Sequence, residues 1–280
     1  MNARVKAYAK LNLTLSITGN SGGFHMLDSL VCSVDLYDLI VMKKRKDSLV
    51  TVEMHGQGCE LLPYENNNAV RAAESYIKAF ATRGADITIY KNIPLGAGMG
   101  GSSADAAGVL RGMSKLYGAG SEAELKSLAD SLGSDTGYML TGGYARLAGR
   151  GENVTPIDAK TRLNFLLLKP QGGVSTAECY RLYDDIPQSL PSAEKAIDAL
   201  ICGDKATLGK CLNNALYAPA IRLNADVQRA YEELSDFSPL GVNMTGSGSA
   251  VFALFENAEF CAWAKSRYRG KFNCIQLKTI

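Results

Sequence analysis

The stretch Pro94-Leu95-Gly96-Ala97-Gly98-Met99-Gly100-Gly101-Ser102-Ser103 constrains this chain more than any other segment. Four of the six residues from 96 to 101 are glycine, and so flexible a backbone is costly to order unless a ligand or a close approach requires it. Before it, Ala85 to Pro94 alternates like a strand and is stopped by proline; after it, SADAAGVLRGMSKLY carries on as a helix. In a strand–loop–helix unit of this kind, backbone N–H groups and the positive end of the helix dipole converge on an anion. The hydroxyls of Ser102 and Ser103 can cap the helix or reach a phosphate and its Mg²⁺. By its chemistry the segment is a phosphate cradle.

Three other glycine signatures fit poorly. Gly96, Gly98 and Gly101 match G-x-G-x-x-G, but no acidic residue ends a second strand about 20 residues later, as a dinucleotide fold requires. Gly203, Gly209 and Lys210 approach a Walker A pattern with the wrong spacing, and Cys211 stands where Ser or Thr is needed. A G-x-S-x-G nucleophile elbow is absent from the sequence.

The length of 280 residues, with 46% hydrophobic and 21% charged residues, suits one large domain or two ordinary ones around a real core. A net charge of +2 argues against neutralising a nucleic-acid backbone. The basic run Lys43-Lys44-Arg45-Lys46, followed by Asp47 and Ser48, reads as a solvated hairpin turn between strands. Seven scattered cysteines without a C-x-x-C pair exclude a disulfide framework and a structural zinc site. No apolar run approaches the roughly 20 residues that cross a bilayer, and MNARVKAYAK lacks the apolar core of a signal peptide. A reducing cytoplasm is the expected compartment.

Lys6 to Thr18 alternates, with Leu11, Leu13 and Leu15 on one face and Lys10, Asn12 and Thr14 on the other. SLVCSVDLYDLIVMK and SLVTVEM read as further strands, and NNNAVRAAESYIKAF as a helix begun by capping asparagines. SEAELKSLADSLG is a second amphipathic helix with Gly133 at its C-cap. YARLAG and NFLLLKP are strands, helices are expected near 192–202, 204–217 and 224–235, and two strands flank the loop in GVNMTGSGSAVFALF. A last helix and strand close the chain. Hairpins dominate over strict βαβ alternation, so the class is α+β.

Several single residues stand out. Lys10 lies mid-strand among apolar neighbours, Asp135 follows a helix in LGSDTGYML, and His25 sits in GGFHMLD. A second glycine-rich loop, Thr245 to Ser249, leads into an apolar segment. Each has an ordinary structural reading when taken alone.

In order and spacing, Lys10 in AYAKLNL, PLGAGMGGSSADAA and MTGSGSAVFALF resemble the three motifs of the GHMP family of small-molecule kinases, over almost the whole chain. AKLNLTLSITG, GFHMLDSLVCSVDLYD, NNAVRAA, LGSD and VSTAECY narrow the likeness to the branch that phosphorylates a cytidyl diphosphate sugar alcohol for non-mevalonate isoprenoid synthesis. A GHMP kinase for another small alcohol, such as homoserine or mevalonate, is the alternative. The resemblance implies a two-domain fold: residues 1–157 like a ribosomal small-subunit protein and residues 158–280 ferredoxin-like. It implies ATP and Mg²⁺, a small-molecule substrate, a monomer or homodimer, and neither nucleic acid nor membrane as partner.

Residue by residue, the resemblance makes Asp135 the base that takes the proton from the substrate's tertiary hydroxyl, with Lys10 beside it to stabilise the developing charge. Asn12 would position the substrate, Phe24 and Tyr180 would sandwich cytosine, and His25 would read its hydrogen-bonding edge. Thr176, Thr245, Gly246 and Ser247 would be further substrate contacts. Asn67 would meet adenine, and Pro94, Gly96, Ala97, Gly98, Met99, Gly100, Gly101, Ser102 and Ser103 would wrap the triphosphate. Ser103 is the better aligned hydroxyl for Mg²⁺. The chain departs from the family pattern at Phe24, which replaces a tyrosine, at Ser102, which replaces a third glycine, and at Thr136-Gly137-Tyr138, which replaces valine–proline–phenylalanine.

Overall fold

A computed structural model describes residues 2–59 and 67–280. Strand β1 (Asn2–Asn12) begins with alternation, Ala3, Val5 and Ala7 buried and Arg4 and Lys6 exposed. From Ala9 onward every residue of β1 is buried, Lys10 and Asn12 included. Leu13 separates it from β2 (Thr14–Ser21), and a turn through Gly22 and Gly23 leads to the long β3 (Phe24–Lys44).

β4 (Thr51–His55) follows, then α1 (Asn68–Phe80), where the Asn67 side chain accepts the Ala69 amide at 2.9 Å as an N-cap. Asn66 of the same asparagine run lies outside the described residues. β5 (Ala85–Tyr90), α2 (Gly101–Tyr117) and α3 (Glu122–Leu132) come next, and Ser121 with Glu124 forms a reciprocal capping box on α3. The short α4 (Thr136–Thr141) precedes β6 (Tyr144–Gly149), β7 (Asn153–Pro156) and β8 (Asn164–Lys169). The remainder is α5 (Thr176–Asp185), α6 (Glu194–Cys202), α7 (Lys205–Cys211), β9 (Asn213–Asn214), α8 (Tyr217–Leu223), α9 (Asp226–Ser235), β10 (Gly241–Met244), β11 (Val251–Phe255), α10 (Ala258–Arg267) and β12 (Asn273–Lys278). Helices and sheets mix as expected for α+β. Among the described residues no helix is long and apolar enough to cross a membrane.

Four local expectations change. β5 ends at Tyr90, before Pro94, because the amides of Asn92 and Ile93 turn to Asp38 Oδ1, at 2.6 and 2.9 Å. The basic run is not a hairpin turn: β5 lies between its flanking strands, antiparallel to β3 and parallel to β4. Arg45, still partly exposed, binds Asp47 at 2.7 Å and Asp86 at 2.5 Å. The helix expected over 204–217 breaks after Cys211, where Asn213 and Asn214 pair in parallel with Thr14 and Leu15. α4 and α5 are additional helices, both too short to announce themselves by periodicity.

The described chain forms two compact units. The first comprises Met1–Ala9, Leu36–Leu95 and Gly100–Gly142. Here α2 packs so closely that a Cβ on Gly108 would lie 2.5 Å from Ile40 Cδ1, and one on Gly112 would lie 2.1 Å from Met42 Sδ. Tyr76, Ile87, Ile89, Leu110 and Met113 fill the same core. At about 1.5–3 kcal/mol for each large side chain fully buried, such residues dominate the unit's stability.

The second unit comprises Lys10–Asp35, Gly96–Met99 and Gly143–Ile280. The first part of β3 is antiparallel to β2 and to β6, and β7 pairs with β6. A separate antiparallel sheet runs in the order β10-β11-β8-β12. Leu166, Leu168, Val251, Ala253 and Phe255 of that sheet meet Val227, Ala230 and Leu234 of α9 and Cys261 and Ala264 of α10 in one buried cluster.

Candidate active site

The second unit contains both the tip of the first glycine loop and the whole of the second. The carbonyls of Gly96, Ala97, Gly98 and Met99 accept, respectively, from Ser249 N at 3.0 Å, Ala250 N at 3.2 Å, Thr245 Oγ1 at 3.2 Å and Lys10 N at 3.1 Å. Four consecutive carbonyls are thus committed to protein donors, which fixes the loop's path. Gly98 has φ of +73°, and a Cβ there would lie 2.1 Å from the Thr245 carbonyl oxygen. Only glycine meets both conditions. Pro94 lies just before this tip.

Lys10 and Asn12 share the face of β1 that their spacing predicts. The Lys10 ammonium donates to Asn12 Oδ1, which also accepts the Gly246 amide at 3.1 Å. Asn12 N donates to Thr245 Oγ1 at 3.1 Å, and its Nδ2 donates to Ser29 Oγ at 2.8 Å. A lysine 4% exposed requires polar partners, and a fixed amide oxygen is one. Sequence reasoning did not find Asn214, whose Nδ2 donates to the carbonyls of Met244 at 2.7 Å and Gly246 at 2.9 Å. Ser247 Oγ lies 2.9 Å from Thr176 Oγ1.

His25 follows Phe24 on β3, and successive strand residues face opposite ways. The imidazole stacks on Tyr180, centroids 4.8 Å apart at 27°, with Tyr183 edge-on at 5.9 Å. His25 Nε2 lies 2.6 Å from Asp184 Oδ1. Tyr180, Tyr183 and Asp184 share one side of α5 through their three- and four-residue spacing. A cleft of about 500 Å³ is lined here by Ile17, Thr18, Asn20, His25, Tyr183 and Asp184. Phe24 is 53% exposed and carries the Arg150 guanidinium 4.7 Å from its ring centre. Asp184, Tyr183 and Arg150 were missed; recognising α5 would have placed Asp184 one turn after Tyr180.

The first unit contains the helix that leaves the loop. Gly100, at φ +72°, is the N-cap of α2, and no side chain caps that helix. The N–H groups of Gly101, Ser102 and Ser103 therefore occupy the unsatisfied first turn that suits an anion. Ser102 Oγ accepts from Asn68 Nδ2 at 2.8 Å, and Ser103 is half-buried. Asn67 caps α1, and Asp135 is the half-buried N-cap residue of α4.

Beside the root of α2 lies a buried ionic triad that sequence reasoning did not assemble. Lys91, 4% exposed, binds Asp38 and Asp105, which are 0% and 4% exposed. Asp38 also holds the Asn92 and Ile93 amides, so the triad ties β3, the exit of β5 and α2 together. Burial drives the Asp105 carboxyl up to about 7; Lys91 opposes that rise and Asp38 adds to it. Its Oδ1 has no hydrogen-bond partner among the described residues. The Lys91 ammonium is weakened by burial, but its two carboxylates more than offset this and raise its pKa.

Comparison with known proteins places the chain in a family. Residues 67–146 match the GHMP kinases N terminal domain, and residues 193–261 match the GHMP kinases C terminal family. A 4-diphosphocytidyl-2-C-methyl-D-erythritol kinase from Caldicellulosiruptor saccharolyticus is 36% identical over 258 residues, covering 90% of this chain and 88% of that one. The crystal structure of a 4-(cytidine 5'-diphospho)-2C-methyl-D-erythritol kinase has a TM-score of 0.79 and 32% identity, covering 98% of this chain and 99% of that one. A homoserine kinase from Cytophaga hutchinsonii, at 16% identity and a TM-score of 0.75 over 99% of this chain and 94% of that one, shares the fold alone. The chain belongs to the GHMP kinase family and has the two-domain fold of its 4-diphosphocytidyl-2-C-methyl-D-erythritol kinase relatives.

Proposed function

We propose that this ATP-dependent kinase phosphorylates the tertiary hydroxyl of 4-diphosphocytidyl-2-C-methyl-D-erythritol, a step of isoprenoid precursor synthesis in the cytoplasm. The observation that carries the choice of substrate is the His25 cluster. With Nε2–H donated to Asp184, His25 Nδ1 is left as an acceptor suited to the amino group of cytosine. Tyr180 supplies a flat surface beside the imidazole, and the Thr176 and Ser247 hydroxyls supply polar groups for the rest of the substrate. Homoserine and mevalonate have no ring to use that surface.

Asn67 is the adenine contact in this reading, and the loop from Pro94 to Ser103 receives the triphosphate. Asp135 takes the proton as the substrate oxygen attacks the γ-phosphorus, the bond to the bridging oxygen breaks, and ADP leaves. Lys10, oriented by Asn12, stabilises the charge on the attacking oxygen. General-base help of this kind is worth about 10²–10⁴-fold, and positioning supplies much of the rest.

Among the described residues no group of three or more His, Cys, Asp or Glu side chains is placed to hold a metal. In this reading the ion arrives with the nucleotide, since Mg²⁺ uses few protein ligands beside phosphate and water. Mg²⁺ would supply neutralisation of the phosphate charge. Ser103 would hold it, because Ser102 is committed to Asn68. A net charge of +2 favours a small-molecule substrate over a nucleic-acid partner.

The test is ADP release measured side by side with the cytidyl substrate, homoserine and mevalonate. Turnover confined to the cytidyl substrate is expected. Turnover confined to either of the other alcohols overturns the reading.

A further inference from the structure

The first unit has a second cleft, of about 980 Å³, lined by none of the residues assigned above to the kinase reaction. It is built by two periodicities. Along β1, Arg4, Lys6 and Tyr8 repeat every second residue, so all three lie on one face. Along α2, Arg111 and Lys115 are one turn apart and lie on one side. Both sets line the same space, with the Ser114 and Thr141 hydroxyls among them.

The charge of this cleft is one-sided. Among the described residues, Glu122 is the only carboxylate residue lining it, against Arg4, Lys6, Arg111, Lys115 and Lys126. Lys126 is already paired with Asp130 at 2.7 Å. Among the described residues, the other four cations have no carboxylate within ion-pair distance. Arg111 is half-buried, its guanidinium donates to the Leu140 carbonyl, and burial lowers its pKa. Like charges one turn apart weaken a helix, and a half-buried cation beside other cations is unfavourable unless an anion joins them. The chain's net charge is only +2, so general basicity does not explain the concentration.

We propose that this cleft is a second anion site that binds a small molecule bearing a diphosphate group. Arginine and lysine together suit two linked phosphates, and the volume lies within the range of small-molecule sites. It is separate from the phosphate loop. Arg111 comes ten residues after Gly101, so the helix rise sets it roughly 15 Å along α2.

The test is calorimetric titration of the full-length protein with sodium pyrophosphate, the nucleotide site first being saturated with a non-hydrolysable ATP analogue and excess Mg²⁺. Wild type is expected to bind, and Arg111→Gln/Lys115→Gln is expected to bind about tenfold or more weakly. Lys6→Gln, an exposed strand position that folding tolerates, should also weaken binding, while kcat and KM for ATP stay unchanged in both variants. The same affinity in all three proteins, or no binding by wild type at concentrations on the order of 1 mM, overturns the proposal.

Discussion

Gly98 and Thr245 approach so closely that a side chain on residue 98 would place its Cβ 2.1 Å from the Thr245 carbonyl oxygen. Two loops far apart in sequence are thereby locked together, and Thr245 Oγ1 donates back to the Gly98 carbonyl at 3.2 Å. The path of the glycine loop is set by backbone contact rather than by side-chain packing.

Gly98→Ala should therefore displace the loop, raising KM for ATP about tenfold or more, equivalent to about 1.4 kcal/mol. Gly118→Ala is the control, since Gly118 has φ of +72° with nothing within 4 Å of an added Cβ. It should show only the backbone strain of about 1–3 kcal/mol in thermal melts, with unchanged ATP kinetics. Equal effects of the two substitutions on KM would contradict the locking role.

The Lys91 triad makes a prediction about pH. Asp105 has a pKa of about 7 when folded, against 3.8 ordinarily, so between these values the folded state holds a proton that the unfolded state has lost. Stability should fall as pH rises through that window, and Asp105→Asn should flatten the fall in melts recorded across it. Lys91→Met leaves two buried carboxylates without their cation and should cost about 3–5 kcal/mol near neutral pH. A wild-type Tm that does not vary with pH, together with an unchanged Asp105→Asn profile, would refute the assignment.

Asp28 works in the opposite sense. Burial alone would raise its pKa, but Arg146, donating at 2.7 and 2.9 Å, and the Ala193 amide at 3.0 Å hold the carboxyl below 3.8. Its stabilisation is present above the ordinary carboxylate range and is lost as pH falls through the lowered value. The Tm deficit of Asp28→Asn should be largest near neutral pH and shrink on acidification; a constant deficit would speak against the charge pair.

The Asp184 carboxylate supports the role proposed for His25. Asp184→Ala should raise KM for the cytidyl substrate about tenfold, through loss of imidazole orientation, with KM for ATP unchanged. A change confined to ATP kinetics would remove the cluster from substrate binding.

These features differ in how far the sequence discloses them. The glycine loop was legible because periodicity changes from strand to helix across a run of glycines, and Lys10 with Asn12 because strand alternation fixes their common face. Lys91 and Asp38 are 53 residues apart, and neither carries a local signal, so only the fold brings them together. α5 was illegible because ten residues beginning at a serine cap show too little repeat; its Asp184 went unseen although Tyr180 was named from resemblance. The insertion of β5 between β3 and β4 brings Arg45 to Asp86, a pairing that charge composition does not reveal.

The central claim is tested most directly by following the reaction with ³¹P NMR, using ATP, Mg²⁺ and 4-diphosphocytidyl-2-C-methyl-D-erythritol. The account predicts a new phosphomonoester on the tertiary carbon with the cytidyl diphosphate intact, and its loss by about 10²–10⁴-fold in rate for Asp135→Asn with ATP binding retained. A phosphoester at another hydroxyl, or an unchanged rate for Asp135→Asn, would contradict it.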